Sequence, residues 1–502
     1  MKINRKYIAP VLLISLVMIS LSACGTSGGG TKSETDETDT IVSGKVDVKY
    51  TSRDLENVWD DGEATKVELS DESYTIQAAG IYVFSGTLKN GQIIVEAGDT
   101  DKVQIVLNGV NIKCASGPGI MVENADKVFI TLAEGSENAV ADGKSYESAE
   151  DQPWGAIFSR DNLTINGSGK LTVKGNYNNG IVSKDDLKIT GGEIEVTAKN
   201  DGLRGRDSVR IYDGKISINA AGDGIKSNND EEEGKGFVSI DGGEINIKNV
   251  SSQGIDAFYV AQVTGGTINI NSTNEGIQGK IVYIQDGILN ISVSDDCLNA
   301  TDSTQNGSEN AQNGVILEIA GGTLNLSTTA GDGLDSNGDL TVSGGTTVIQ
   351  GSAGGAEVNL DYNGEGVITG GTVIGVGNTQ MAQNFGDDST QGAILYGGSN
   401  YSAGTTVTLS DSDGKKLSSI KAERDFSCVL VSSPDMKKGE IYTLKIGDDS
   451  QSIELSAIVV SEGISGGMGG GPGRGKVDQP RDNRDGLMGQ PPDIGGGSIK
   501  KQ

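Results

Sequence analysis

Gly222-Asp223-Gly224-Ile225-Lys226-Ser227-Asn228 and Gly331-Asp332-Gly333-Leu334-Asp335-Ser336-Asn337 are two copies of one phrase. Each copy is an acidic turn closed by Gly and an apolar residue. Marker glycines follow the same rhythm at Gly169, Gly192, Gly214, Gly243, Gly266, Gly287, Gly322, Gly345 and Gly371, a period of about 22 residues. Two residues beyond a marker the chain alternates apolar and polar, as in Ile194/Val196, Ile216/Ile218 and Ile245/Ile247. Period-2 alternation means strands with one buried face. A second strand precedes each marker, as in Val209-Arg210-Ile211. One such unit cannot bury its own apolar side, so units must stack. The expected fold is all-β: a right-handed parallel β-helix of about 22 residues per turn. A β-propeller needs blades of about 40 residues, and the Leu-x-x-Leu-x-Leu pattern of leucine-rich repeats is absent.

Two insertions interrupt the period, at Asn229 to Gly236 and at Thr301 to Asn313. Insertions in a stacked repeat go to loops on one face. Upstream, 46–98 reads as an N-terminal β cap, needed because an open end exposes apolar side chains and unpaired strands. The β-helix itself is expected over 99–404. Residues 405–462 hold longer amphipathic strands and read as a C-terminal β cap. The segment 463–502 is rich in Gly, Pro and charge, and disorder is expected there.

The first residues read as an export signal. Lys2, Arg5 and Lys6 precede an apolar run from Ile8 to Leu21. Leu21-Ser22-Ala23-Cys24 resembles the bacterial lipobox, which implies a signal peptide over 1–23 and a lipid on Cys24. Residues 24–45 then form a flexible tether, and the location is extracytoplasmic, on the cell membrane. The other cysteines, Cys114, Cys297 and Cys428, are far apart and read as small buried residues.

Composition excludes several functions. The 502 residues contain no His, so serine triads, Cys-His pairs and most zinc sites are ruled out. A net charge of -29 argues against nucleic acid as a partner. Nothing suggests an oligomer, and a monomer is expected.

Aligning the turns produces two polar columns. Before the turn Gly stand Asn179, Asp201, Asp223, Gln253, Glu275, Asp295 or Asp296, and Asp332. Two residues after it stand Val182, Arg204, Lys226, Asp256, Gln278, Asn299 and Asp335. Adjacent parallel strands lie about 4.8 Å apart. Carboxylates stacked at that spacing repel by about 1 kcal/mol in water and by more where water is excluded. The columns offer hard oxygen ligands, which suit Ca2+. The candidate metal ligands are Asp201, Asp223, Asp256, Glu275, Asp295, Asp296, Asn299, Asp332 and Asp335. Any single Asp-Gly also makes a good turn on its own. Aromatic residues are 4% of the chain. The candidate sugar platforms are Trp59, Trp154, Tyr177, Tyr212, Phe258, Tyr259 and Tyr283. So acidic a chain meets a polyuronate only where calcium bridges the two sets of carboxylates.

The run Asn162-Leu163-Thr164-Ile165-Asn166-Gly167-Ser168-Gly169, then Asn176-Tyr177-Asn178-Asn179-Gly180-Ile181, Asn200-Asp201-Gly202-Leu203-Arg204-Gly205-Arg206-Asp207 and Gly222 to Asn228, resembles a bacterial carbohydrate-binding β-helix family. The resemblance covers about Val103 to Gly375; Gln253 and Cys297 depart from the pattern. It implies a pectate-lyase-like fold, calcium along the helix, and binding of cellulose or acidic sugars such as polygalacturonate. Three functions follow as expectations: a calcium-supported polysaccharide-binding lipoprotein, a polysaccharide lyase using Lys226, Arg204, Arg206 or Lys184 as base, and a structural envelope adhesin.

Overall fold

The structure, a computed structural model, describes residues 39–42, 44–146, 154–305, 310–355 and 358–464. The apolar leader, Cys24, the tether before Asp39 and the tail beyond Ile464 lie outside the described residues. Within them the chain is all-β, apart from the four-residue helix Ser52–Leu55.

One repeat shows how the sheets arise. The short strand Leu203–Gly205 pairs in parallel with Asn179–Ser183 before it and Ile225–Ser227 after it. Ser208–Ile211 pairs in the same way with Asp186–Ile189 and Phe237–Ile240. Lys215–Ala220 pairs with Glu193–Ala198 and Glu244–Lys248. A repeat of this kind, a coil, lays three strands in parallel onto the three of the repeat before; in the later repeats Asp339–Gln350 and Gly366–Gly377 each run through two of these positions as one long strand. The short strands form a 12-stranded sheet stacked in sequence order, and the others belong to a 24-stranded sheet.

Side-chain alternation decides what lies inside. Leu203, Ile225, Ile255, Ile277, Leu298, Leu334 and Leu360 stand in one register row and are almost fully buried. Each such side chain contributes about 1.5–3 kcal/mol on burial. The turn glycine is required by this packing. A Cβ on Gly224 would meet the Gly254 carbonyl at 2.5 Å and Ile247 Cγ2 at 2.8 Å. Marker Gly243 is held at φ +84°, which L side chains rarely adopt. Cys114, Cys297 and Cys428 are buried and unpaired.

The ends differ from the simple cap picture. Parallel pairing begins at Thr65–Leu69 with Gly80–Leu88, before the marker glycines start. Alternating apolar residues are enough for pairing there, without the Gly-rich turn. At the other end Thr406–Ser410, Lys416–Lys421, Ile441–Ile446 and Asp449–Glu454 form an antiparallel four-stranded sheet. Phe426–Ser432, from the same region, instead pairs antiparallel with Gly366–Gly377 and Ala393–Tyr401 of the large sheet.

Residues 39–42 and 44–58 form a strap across the outward face of that sheet, so the described part of the expected tether from Asp39 onward is built into the fold. The strap covers one register row. Gln262 binds both Val46 N–H and Val46 C=O at 2.9 Å. Arg210 is ion-paired to Asp39 and, at 2.9 Å, to Asp186. Asp54 is fully buried and accepts from Lys127 at 2.8 Å, Lys188 at 3.2 Å and Thr164 Oγ1 at 2.7 Å. Burial opposes its charge, but the two lysines prevail and hold its carboxyl well below the usual range.

Candidate functional site

The outward row of the short-strand sheet runs Val182, Arg204, Lys226, Asp256, Gln278, Asn299, Asp335, Asp361. Beside it, the turn residues connect by their own hydrogen bonds. Asp201 N–H donates to Asn179 Oδ1 at 2.9 Å, Asp223 N–H to Asp201 Oδ1 at 3.1 Å, and Gln253 N–H to Asp223 Oδ1 at 3.0 Å. Further along, Asp332 N–H donates to Asp296 Oδ1 at 2.7 Å, and Val358 N–H to Asp332 Oδ1. One carboxylate oxygen thus caps the next coil's turn, which leaves the other for the outward row. Asp296 takes the column position. Asp295 stands one place before it, its N–H bonded to the Asn274 carbonyl at 2.7 Å.

Charge compensation divides the columns into three zones. The first zone carries its own cations. Arg204 lies 2.9 Å from Asp201, and Lys226 lies 2.5 Å from Asp223 and 2.7 Å from Asp256. Burial alone would lower the Lys226 pKa, but Asp256 and Asp223 outweigh it and push the ammonium above its ordinary value. In the middle zone, amides replace charge. Gln253 Nε2 donates to Glu275 Oε2 at 3.1 Å, and Asn299 Nδ2 to Glu275 Oε1 at 3.2 Å.

The third zone is Asp332, Asp335 and Asp361, whose carboxylate oxygens lie within 4.8 Å of one another. Among the described residues it is the one cluster of three such groups. Among the described residues no lysine or arginine is ion-paired with Asp335 or Asp361, and Asp361 Oδ1 accepts from Gln383 Nε2 at 3.0 Å. Burial, then Asp296, Asp332 and Asp361, push the Asp335 carboxyl well above the usual range. Asn299, 7% exposed and in register with Asp335, has a buried Oδ1 with no hydrogen-bond partner. An all-oxygen donor set beside an unsatisfied buried acceptor suits a hard cation such as Ca2+.

The structure therefore brings together Asp332 and Asp335 of the sequence-derived ligands and adds Asp361. Asp201, Asp223 and Asp256 meet side-chain cations instead, and Glu275 meets amides. Asp361 escaped the alignment because Val358-Asn359-Leu360 lacks the Gly-Asp-Gly turn; the echo of Leu334-Asp335 in Leu360-Asp361 is the signal that carried it. The third base candidate, Arg206, reaches outward to Glu231 at 2.5 Å. A further acidic column was missed at the next turn. There burial, then Asp207, Asp161 and Asp186, push the Asp185 carboxyl up to about 6.

The aromatic candidates scatter. Trp154 is buried against Phe158, Tyr283 lies under Lys45, Tyr177 stacks on Tyr146, and Tyr212 meets Tyr50 edge-on. Trp59 packs at the edge of a small apolar cluster. Phe258 and Tyr259 are half-buried beside the first insertion.

The model of a family described as carbohydrate-binding domain-containing protein matches residues 70–305 and 261–414, together well over half the chain. The chain belongs to that carbohydrate-binding domain family. A carbohydrate-binding domain-containing protein of Acetivibrio thermocellus is 37% identical over 194 residues, which span 38% of this chain and 66% of that relative. A solved structure described as a polysaccharide lyase-like protein from C. thermocellum, in its gadolinium derivative, is 36% identical. It covers 51% of this chain and 95% of its own, with a TM-score of 0.39.

Proposed function

We propose that this carbohydrate-binding protein is a cell-surface polysaccharide-binding lipoprotein, anchored through Cys24, whose coils form a right-handed parallel β-helix. A calcium ion held by Asp332, Asp335 and Asp361, with Asn299 beside them, supports binding of acidic glycan. The observation that carries the reading is the cluster of three carboxylates, with no side-chain cation at Asp335 or Asp361 among the described residues, in a chain of a carbohydrate-binding family. Calcium there would relieve carboxylate repulsion and offer its remaining coordination to a uronate carboxylate. That is how a chain of charge -29 would meet a like-charged polymer.

Binding is favoured over lyase chemistry. A lyase base must give up its proton near neutral pH, whereas Lys226 is held protonated between two aspartates. Arg204 and Arg206 are likewise ion-paired.

The test is retention of the purified full-length protein on immobilised polygalacturonate, with calcium and with EDTA, while absorbance near the ultraviolet band of unsaturated uronates is followed. Calcium-dependent retention without rising absorbance is expected. Rising absorbance would establish a lyase, and no retention on polygalacturonate or cellulose would remove the binding reading.

A further inference from the structure

The two insertions that break the period, residues 229–236 and the described part 301–305 of the second, come to the same side of the coils. Between them lie two adjoining cavities of about 260 Å3 and 280 Å3. Phe258 and Asp230 line both. One cavity extends to Tyr259, Lys280 and Asp302, the other to Lys226, Asp256 and Gln278 of the outward row. The cleft thus opens onto the polar columns but lies in their cation-compensated zone, apart from the three-carboxylate cluster.

Phe258 is not explained by folding. Its ladder position needs only the backbone, with Phe258 N–H donating to the Ser227 carbonyl at 2.9 Å. The same position in other coils is held by Arg206, whose N–H reaches Ser183 O at 3.0 Å, and by Thr301, whose N–H reaches Gly279 O at 2.9 Å. An aromatic ring stands in a polar column, half-buried, and belongs to none of the buried apolar clusters. Its surroundings are hydrogen-bonding groups, including Asn228, whose buried Oδ1 has no partner. A ring face flanked by amides, hydroxyls and carboxylates matches a pyranose, which has an apolar face and a rim of hydroxyl donors.

The charge pattern narrows the sugar. Each lysine of the cleft is already tied: Lys226 to Asp223 and Asp256, Lys235 to Asp207 at 2.9 Å, and Lys280 to Asp302 at 2.9 Å. Asp230 and Glu233 add further negative charge to the walls. A uronate would meet repulsion there and no available cation. An uncharged sugar would donate its hydroxyls to those same carboxylates.

We propose that this cleft is a subsite for uncharged sugar residues of a glycan, stacked on Phe258, that works without a metal ion. The proposal rests on the carbohydrate-binding reading above and assigns neutral and acidic sugars to separate places on the same face. The test is calorimetric titration of the full chain with cellohexaose and with a galacturonate hexamer, each in calcium and in EDTA, for wild type, Phe258→Ala and Phe258→Leu. Wild type is expected to bind cellohexaose equally in calcium and EDTA. Both variants should lose about tenfold or more in that affinity, keep the wild-type melting temperature within about 2 °C, and bind the galacturonate hexamer in calcium as wild type does. Cellohexaose affinity unchanged in Phe258→Ala would overturn the cleft, as would a requirement for calcium. Binding of the uronate alone would overturn the cleft but leave the function standing, whereas binding of neither would remove both.

Discussion

Asp335 stands in register with Asp361 on the following coil, and Asp332 brings a third carboxylate within 4.8 Å of both. Two coils of like charge are thus stacked where the first half of the same columns has Arg204 and Lys226. The contrast follows from residue type at a fixed register position. It separates a part of the columns whose carboxylates meet side-chain cations from a part where, on the proposed function, a bound cation would take that place.

Calcium should raise the melting temperature of the protein, and Asp335→Asn should abolish that rise. Without metal, Asp335→Asn removes like-charge repulsion and should stabilise by about 1 kcal/mol. Differential scanning calorimetry with and without EDTA reads both effects. A calcium-induced rise retained in Asp335→Asn would place the ion elsewhere.

Lys226→Met should behave in the opposite sense. Asp223 and Asp256 would lose their shared cation while remaining mostly buried. The expected cost is about 1–3 kcal/mol, below that of a fully buried pair because Lys226 keeps some contact with water. Calcium should recover part of the loss by replacing the ammonium. The check is the shift in unfolding midpoint with urea.

The Asp185 carboxyl sets a pH dependence. Its folded pKa of about 6 lies above the ordinary 3.8, so the folded state binds the proton more tightly than the unfolded chain. Its contribution is favourable at low pH and is lost as pH rises through about 6. Asp185→Asn should therefore melt higher than wild type at pH 7.5, with the gap narrowing below about 6 and closing only as pH falls to the ordinary 3.8. A gap independent of pH would contradict the assignment.

Asp54→Ala tests the strap. The substitution leaves Lys127 and Lys188 buried without their shared carboxylate, at a cost of about 3–5 kcal/mol. The paired aspartate has a depressed pKa, so the contribution it makes is present above the ordinary carboxylate value and fades as pH falls through the folded one. Hydrogen exchange should show faster exchange across residues 39–58 in the variant.

The repeat was legible because a Gly-Asp-Gly-Ile phrase fixes register as well as strand. It aligns Arg204, Lys226, Asp256, Asn299 and Asp335 in one column, and the strand pairing agrees. Where the phrase decays, the reading failed. Asp361 follows a turn without its glycines, and the choice between Asp295 and Asp296 needed a hydrogen bond to settle it. The strap left no local pattern at all, since Asp54 meets Lys188 134 positions away. The division of the columns into zones depended on which carboxylates each cation reaches, and register alone does not give that distance.

Whether the three-carboxylate cluster carries calcium-dependent binding is decided by retention of wild type and Asp335→Asn on polygalacturonate across a calcium titration. Retention should rise with calcium for wild type and stay at the EDTA level for Asp335→Asn. Equal calcium-dependent retention of both proteins would contradict that role.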